Sequence, residues 1–249
     1  MKLKIRLLYK LSLIKLLFIY GLFLTAIIIP IASLLNKVHN TRTQCDRLKQ
    51  QWFDWFSRII KLQITIEGEI PTTSCFIISN HISWLDIVII GKLSPTYFVA
   101  KSDIVHWPVV GFIAKHAGTI FIRRGEKKHI METSDKMAWL LQNNCTIAAF
   151  PEGTTTIGNN VLNFHASLFQ PALASKAIIQ PVALQYEGAA KDSAPFINDD
   201  IFLPHLINML RLEKIEARIT FLPPLTSTDQ TRHSISKASR QAIIDQITS

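Results

Sequence analysis

The sequence predicts an α/β fold in which helices pack around a largely buried mixed sheet, preceded by a long apolar helical segment. Three observations lead to this prediction. Short apolar runs alternate with helical candidates after residue 61, residues 61–67 alternate between apolar and polar side chains, and residues 16–36 hold no charge. Strands that alternate with helices are typical of an α/β sandwich. With 249 residues, the chain is long enough for one full domain and an appendage.

The N-terminal segment predicts a membrane anchor. Residues 16–36 read LLFIYGLFLTAIIIPIASLLN, and a helix of about 20 such residues can cross a hydrocarbon core of roughly 30 Å. Basic residues flank both ends, so charge leaves the orientation of a span open. A kink at Pro30 makes a re-entrant hairpin an equal alternative. A cleaved signal peptide is disfavoured because its apolar region would be shorter.

The next segment predicts an amphipathic helix. Its apolar residues recur at three- and four-residue steps and share one helical face: Leu48, Trp52, Trp55, Phe56, Ile59 and Ile60. Such a helix suits the headgroup region of a bilayer, although ordinary packing on the domain fits equally well. We therefore expect a membrane anchor with an interfacial helix over residues 1–60 and a globular domain over 61–249.

The globular domain reads as alternating strands and helices. We expect strands at 61–67, 75–79, 96–101, 119–124, 146–150, 178–186 and 215–222. We expect helices near 84–93, 107–116, 127–142, 166–176 and 231–247. Ligands of such sheets bind in the crevice beyond the strand ends, and three short motifs occupy these ends.

Charge and cysteine usage exclude several classes of protein. The net charge of +9 is carried entirely by residues 1–61, which hold eleven Lys/Arg and two Asp, so the remainder is balanced. Nucleic acid is therefore not an expected partner. Cys45, Cys75 and Cys145 are scattered, which argues against a disulfide framework and fits a reducing compartment. The eight histidines form no HExxH or similar spacing, and we expect no metal.

The first motif is NHISWLD, at the end of the strand predicted over 75–79. Residues five apart on a regular helix lie about 140° apart, so His81 and Asp86 can meet only if His81 belongs to the loop. Ser83 through Asp86 has the form of a capping box, which would place Asp86 in the first helical turn. A carboxylate bonded to one ring nitrogen would leave the other free as a base. The alternative, in which Asp86 only caps a helix and His81 is a satisfied polar residue, remains open on local physics.

The other two motifs add positive charge and a tight turn. GTIFIRRG delivers Arg123 and Arg124 to a strand end, where adjacent side chains point to opposite faces. Arginine there can hold a phosphate or carboxylate. In AAFPEGTTTIGN, a buried Glu152 would hold its loop by accepting backbone amides, with Gly153 and Thr154 at the turn. Taken alone, the first of these motifs could supply only surface arginines, and the second could be a plain β-to-α turn.

Together, the ordered motifs resemble the glycerolipid acyltransferases typified by bacterial lysophosphatidate acyltransferase. The resemblance covers about residues 60–225. Its four motifs match Asn80-His81-x4-Asp86, Gly118-x2-Phe121-Ile122-x-Arg124, Phe150-Pro151-Glu152-Gly153-Thr154, and the apolar run Ile178-Ile179-Gln180-Pro181-Val182. The resemblance implies the fold of that family, with residues 61–249 as the catalytic domain.

The resemblance also implies direct acyl transfer without an acyl-enzyme. His81, oriented by Asp86, would take the proton from an acceptor hydroxyl as that oxygen attacks an acyl thioester. The donor would be acyl-carrier protein or coenzyme A, with no other cofactor. The residues expected to bind or shape the substrate site are Asn80, Lys101, Arg123, Arg124, Glu152, Gly153 and Thr154. The expected setting is the cytoplasmic membrane, with the site facing the cytosol.

The acceptor implied first is 1-acyl-sn-glycerol 3-phosphate, acylated at its sn-2 hydroxyl to give phosphatidic acid. One departure weakens this expectation, because Thr155 stands where the family usually has an arginine. Either Arg123 compensates, or the acceptor is a lyso-ornithine lipid or a lysophospholipid. A lipid-binding pseudoenzyme is the alternative of a different class.

Overall fold

The structure is a computed structural model that describes residues 2–31, 40–123 and 125–248. The end of the predicted apolar segment and Arg124 lie outside the described residues. The helices, in chain order, are α1 (Lys2–Phe23), α2 (Asn40–Ile60), α3 (Leu85–Leu93), α4 (Val110–His116), α5 (Lys127–Gln142), α6 (Gln170–Ser175), α7 (Ala190–Ser193), α8 (Phe202–Arg211) and α9 (Arg232–Thr248).

The strands of the described chain form one mixed sheet. They are β1 (Leu62–Glu67), β2 (Phe76–Ser79), β3 (Thr96–Lys101), β4 (Ile120–Ile122), β5 (Thr146–Ala149), β6 (Ile179–Glu187) and β7 (Ile215–Phe221). Their order across the sheet is β1-β7-β6-β2-β5-β3-β4. All neighbours are parallel except β6 and β7, which are antiparallel. The predicted fold class is confirmed.

The central strands are covered on both faces. In β2, Ile77 packs into one apolar cluster, whereas Phe76 and Ile78 pack into the cluster on the other side of the sheet. A strand that is buried on both faces needs apolar residues at every position rather than alternation. The edge strand β1 does alternate, because one of its faces is largely exposed. This difference explains why 61–67 and 75–79 look unlike each other in the sequence.

The register of β2 and β5 positions the functional loops. Ile78 pairs with Ala149 in this parallel pair, so both strands end at the same edge of the sheet. The loop that begins at Asn80 therefore lies beside the loop that begins at Phe150. These two loops carry the first and third motifs.

The predicted elements differ from the structure in several places. Strand β4 ends at Ile122, so Arg123 follows in an exposed coil. Helices α7 and α8 were not predicted. The predicted capping box is wrong, because α3 begins at Leu85 and no side chain caps it. Asp86 does reach back to the Ser83 N–H at 2.9 Å, but Ser83 does not return a capping bond.

The N-terminal helices α1 and α2 pack together against the rest of the structure along one face. Ile14 and Leu17 of α1 are buried in the same apolar cluster as Phe56 and Ile60 of α2. Trp52 of α2 donates its indole N–H to the Leu17 carbonyl oxygen at 3.0 Å. A Cβ at Gly21 would lie 2.9 Å from the Trp52 indole nitrogen, so the glycine permits this approach. Helix α2 therefore packs on the domain, as one of the two alternatives predicted. The contact of α2 with lipid headgroups stays a prediction.

The helix that runs over Lys4–Ile31 is long and apolar enough to cross a membrane. The opposite side of this helix exposes large apolar residues, with Ser12 and Lys15 exposed between Leu8 and Leu16. The exposed apolar residues are Ile5, Leu8, Leu16, Ile19, Phe23, Ile27 and Ile31. The division of the chain at residue 60 stays a prediction.

Candidate active site

His81 and Asp86 meet in the loop between β2 and α3. The His81 Nδ1 lies 2.8 Å from the Asp86 Oδ2. Asp86 is fully buried, and the His81 side chain is 19% exposed. A carboxylate can only accept a hydrogen bond, so a neutral His81 carries its proton on Nδ1. The second ring nitrogen, Nε2, is then left to accept a proton from an incoming group.

The backbone of the same loop orients the carboxylate. The Asp86 Oδ2 also accepts the N–H groups of Ile82 at 2.7 Å and Ser83 at 2.9 Å. These bonds require His81 through Ser83 to stay out of the helix, which is the loop placement inferred from the spacing. Asp86 thus stabilises the conformation of the loop and also orients the imidazole of His81.

Residues of the third motif bind the backbone of His81. The His81 N–H donates to the Glu152 Oε1 at 2.8 Å, and the His81 carbonyl oxygen accepts the N–H of Thr156 at 2.8 Å. The imidazole stacks on the Phe150 ring with centroids 3.9 Å apart and planes 13° apart. Backbone and ring of His81 are both held by residues 150–156.

Glu152 acts as a bridge between loops. Glu152 is 4% exposed, and its second oxygen, Oε2, accepts the Leu162 N–H at 2.8 Å. Burial raises the pKa of Glu152 above its ordinary value, while the N–H groups of Leu162 and His81 act in the opposite direction. Both oxygens of Glu152 are therefore engaged with backbone amides, as expected for a residue that holds its loop. Gly153 follows with φ at +69°, a conformation that glycine adopts without strain.

Asn80 is held by the neighbouring strand. Its side-chain amide donates to the Leu184 carbonyl oxygen at 2.9 Å, and its side-chain oxygen accepts the Leu184 N–H at 2.8 Å. The residue is fully buried. This pairing ties the start of the His81 loop to β6 and leaves Asn80 no exposed atom to offer a substrate.

Tyr186 of β6 is a site residue that the sequence did not reveal. Its hydroxyl donates to the Asp86 Oδ1 at 2.7 Å across 100 positions of sequence. Burial, and then the charge of Asp86, raises the pKa of Tyr186 well above its ordinary value, so the hydroxyl keeps its proton. A tyrosine near the end of a predicted strand carries no local signal for such a contact.

The remaining predicted residues lie at the surface around the strand ends. Lys101 ends β3 and is exposed, and its backbone pairs with Ile122 at the end of β4. Arg123 comes next and is exposed, with one guanidinium nitrogen 3.8 Å from Glu126. Thr154 is exposed as well. None of these three contacts His81 or Asp86 in the described structure.

Comparison with known proteins agrees with this geometry. Residues 61–185 match the model of the Acyltransferase family. The chain is 35% identical over 199 residues to the lyso-ornithine lipid O-acyltransferase of Pseudomonas aeruginosa, covering 79% of this chain and 77% of that relative. The chain belongs to the Acyltransferase family. The resemblance predicted from the ordered motifs is confirmed, and the protein is an acyltransferase.

Two further comparisons extend the picture of this acyltransferase. It is 34% identical over 146 residues to the 1-acyl-sn-glycerol-3-phosphate acyltransferase of Neisseria meningitidis serogroup B, covering 58% of this chain and 57% of that relative. It shares its fold with the crystal structure of the 1-acyl-sn-glycerophosphate (LPA) acyltransferase PlsC from Thermotoga maritima. That comparison has a TM-score of 0.64 at 16% identity and covers 94% of both chains.

Thr155 of this acyltransferase has a structural partner. Its hydroxyl donates to the Phe196 carbonyl oxygen, and the Phe196 N–H donates to the Ile82 carbonyl oxygen at 2.9 Å. The segment around Phe196 is therefore tied to both motif loops. At the position where the family resemblance implies an arginine, this chain has a threonine whose hydroxyl is bonded to the backbone of Phe196.

A buried histidine of the acyltransferase supports the same segment. His205 Nδ1 accepts the indole N–H of Trp84 at 3.0 Å, and its Nε2 lies 3.2 Å from the Pro195 carbonyl oxygen. Because indole only donates and a carbonyl only accepts, His205 is neutral, with its proton on Nε2. Burial lowers the pKa of His205, in keeping with this tautomer. Sequence reasoning gave this histidine no role.

Proposed function

We propose that this acyltransferase moves a fatty acyl group from an acyl thioester to the hydroxyl of a lysolipid at a membrane surface, with a lyso-ornithine lipid as its preferred acceptor. The observation that carries the proposed chemistry is the contact of 2.8 Å between His81 Nδ1 and the buried Asp86 Oδ2. That contact leaves Nε2 as the base.

The proposed reaction needs no acyl-enzyme. His81 Nε2 takes the proton of the acceptor hydroxyl as the oxygen attacks the thioester carbonyl carbon, so a C–O bond forms and the C–S bond breaks. The proton passes from His81 to the leaving thiolate, and the products are an ester and a thiol. Asp86 stabilises the imidazolium between these two steps. The donor thiol is that of acyl-carrier protein or coenzyme A, and no other cofactor takes part.

Thr155 supports the choice of acceptor. Its hydroxyl is committed to the Phe196 carbonyl oxygen, so this position supplies no cation for a phosphate. An ornithine headgroup contains amino and carboxyl groups and no phosphate. The aligned region also covers more of the lyso-ornithine lipid acyltransferase than of the Neisseria relative, 77% against 57%. The proposal reverses the order of acceptors that the motifs alone suggested.

The second candidate acceptor is 1-acyl-sn-glycerol 3-phosphate, acylated at its sn-2 hydroxyl. Lys101 and Arg123 favour it, because parallel pairing of β3 and β4 brings both exposed cations to the same edge of the sheet. Two cations there can bind a phosphate. Arg124, which also belongs to the predicted set, lies outside the described residues.

A bilayer is the proposed neighbour of α1. The exposed apolar stripe of α1 would face lipid, while Ile14 and Leu17 face the domain. Such an arrangement keeps the site near the surface where a lysolipid enters, and we propose the cytosolic face of the cytoplasmic membrane, because the thioester donors are cytosolic.

The proposal is tested by acyl transfer in detergent micelles. Wild type, His81→Ala and the control His233→Ala, an exposed histidine on α9, would receive a labelled acyl thioester. Lyso-ornithine lipid, 1-acyl-sn-glycerol 3-phosphate and a lysophospholipid would be offered in parallel. We expect transfer mainly to lyso-ornithine lipid, retained by His233→Ala and reduced by at least about 100-fold in His81→Ala.

Other outcomes would change the proposal in distinct ways. Histidine-dependent transfer mainly to 1-acyl-sn-glycerol 3-phosphate would keep the mechanism and replace the acceptor. Activity of His81→Ala near that of wild type would remove His81 as the base. No transfer to any acceptor would favour a lipid-binding pseudoenzyme.

A further inference from the structure

The phenol of Tyr186 occupies the side of Asp86 that faces away from His81. Asp86 Oδ2 takes the His81 ring and the two backbone N–H groups, whereas Oδ1 takes the Tyr186 hydroxyl at 2.7 Å. In the part of the chain that the structure describes, Tyr186 supplies the side-chain donor to Oδ1. Without it, a carboxylate oxygen would be buried with no such donor.

This contact is buried and rigidly supported. Asp86 is 0% exposed and Tyr186 is 6% exposed. Tyr186 lies in the antiparallel pair of β6 and β7, where it is paired with Ala217. Asp86 lies in the first turn of α3. Two elements far apart in sequence therefore hold the donor and the acceptor at a fixed separation.

The two oxygens of Asp86 share one negative charge, so a donor on one oxygen affects the other. A hydrogen bond from Tyr186 draws charge toward Oδ1 and weakens the pull of Oδ2 on a protonated His81. It also stops the carboxylate from rotating, which keeps Oδ2 directed at Nδ1. Loss of the phenol hydroxyl would favour the imidazolium and loosen its orientation.

We propose that Tyr186 is a positioning residue of the acyl-transfer site, which fixes the plane of the Asp86 carboxylate and thereby sets the basicity of His81. This inference rests on the proposed function, because it assigns Tyr186 a part in the same histidine-dependent reaction. Tyr186 acts through Asp86 and does not contact the reacting atoms.

The test is the pH dependence of kcat/KM for Tyr186→Phe, with Tyr9→Phe as the matched control. Tyr9 is 65% exposed on α1, so its substitution makes the same chemical change far from the site. We expect Tyr186→Phe to lower the plateau of kcat/KM by about tenfold and to move the acid limb to higher pH by up to about one unit. Tyr9→Phe should follow wild type.

A second substitution keeps the test decisive if Tyr186→Phe does not fold. Incorporation of 3,5-difluorotyrosine at position 186 keeps the ring and makes the hydroxyl a stronger donor, so the acid limb should move to lower pH. If the folded variants lower the plateau of kcat/KM but leave its acid limb at the wild-type pH, the proposal is overturned. A purely structural role of Tyr186 would produce that result, because it would not alter the pH dependence.

The proposed function can fail separately. If wild type transfers no acyl group, or His81→Ala retains activity, then both proposals fall. If wild type is active and depends on His81 while the limb stays in place in the Tyr186 variants, only the role of Tyr186 falls.

Discussion

The backbone N–H of His81 donates to the Glu152 Oε1 at 2.8 Å, although the two residues are 71 positions apart. The third motif is thus part of the support for the candidate base. Because Glu152 also accepts the Leu162 N–H at 2.8 Å, its carboxylate joins three segments of the chain. The function of such a group is positional, and its loss should affect stability and rate together.

Glu152→Ala should destabilise the protein and slow the reaction. Each buried N–H left without an acceptor costs about 1–3 kcal/mol of the free energy of unfolding, and a displaced His81 should lower kcat more than it raises KM. Urea unfolding in micelles and steady-state kinetics measure the two effects. The control is Glu213→Ala, at an exposed turn. Equal stability and kcat in both variants would contradict the bridging role.

Thr155→Arg should change the choice of acceptor. The new guanidinium would be available to a phosphate, and a hydrogen bond to a charged group is worth about 1.5–3 kcal/mol. We expect the ratio of kcat/KM for 1-acyl-sn-glycerol 3-phosphate to that for lyso-ornithine lipid to rise at least about tenfold. Thr155→Ser, which keeps the hydroxyl for the Phe196 carbonyl oxygen, should leave the ratio near that of wild type. A ratio unchanged by arginine would show that position 155 does not contact the headgroup.

The protein should lose stability as the pH falls below about 6.5, the ordinary histidine pKa. Burial lowers the pKa of folded His205, so the unfolded chain takes up this proton first, and protonation then favours unfolding. Stability from this group is complete above the unfolded pKa and declines as the pH falls toward the folded value. The free energy of unfolding at pH 7.5 and pH 5.0 should differ less in His205→Gln than in wild type. His233→Gln, at an exposed position, should show the same difference as wild type. If His205→Gln also shows the same difference as wild type, His205 is not the group that causes the loss of stability.

Lys10→Met should weaken the attachment of α1 to the domain. The Lys10 ammonium donates to the carbonyl oxygens of Leu210 at 3.2 Å and Leu212 at 3.0 Å, where α8 ends, and the residue is 3% exposed. Loss of these bonds should lower the free energy of unfolding by about 1.5–3 kcal/mol, as measured by urea unfolding in micelles. Lys15→Met makes the same change at an exposed position of α1. If the two variants are equally stable, the contact contributes nothing to attachment.

Local sequence predicted the elements because their signals are short in range. Apolar alternation marked β1, and a four-residue apolar run marked β2, whose two faces are both buried. Helix α8 escaped prediction because Pro204 lies in its first turn, and a proline there suggests a break although the first turn tolerates it. The capping box failed because the Asp86 carboxylate is used to hold His81 and its loop, and Ser83 provides no capping bond.

What the sequence determined by itself was the order of the strands along the chain, the motifs at their ends and the spacing that allows His81 and Asp86 to meet. Only the tertiary structure decided which distant residues hold them: Glu152 at the His81 backbone, Tyr186 at Asp86, and Leu184 at Asn80. The physical reason is that strand pairing brings together residues 71 to 104 positions apart, and no local pattern records which strands become neighbours. Spacing within one loop can be read from the chain, whereas contacts between loops require the sheet.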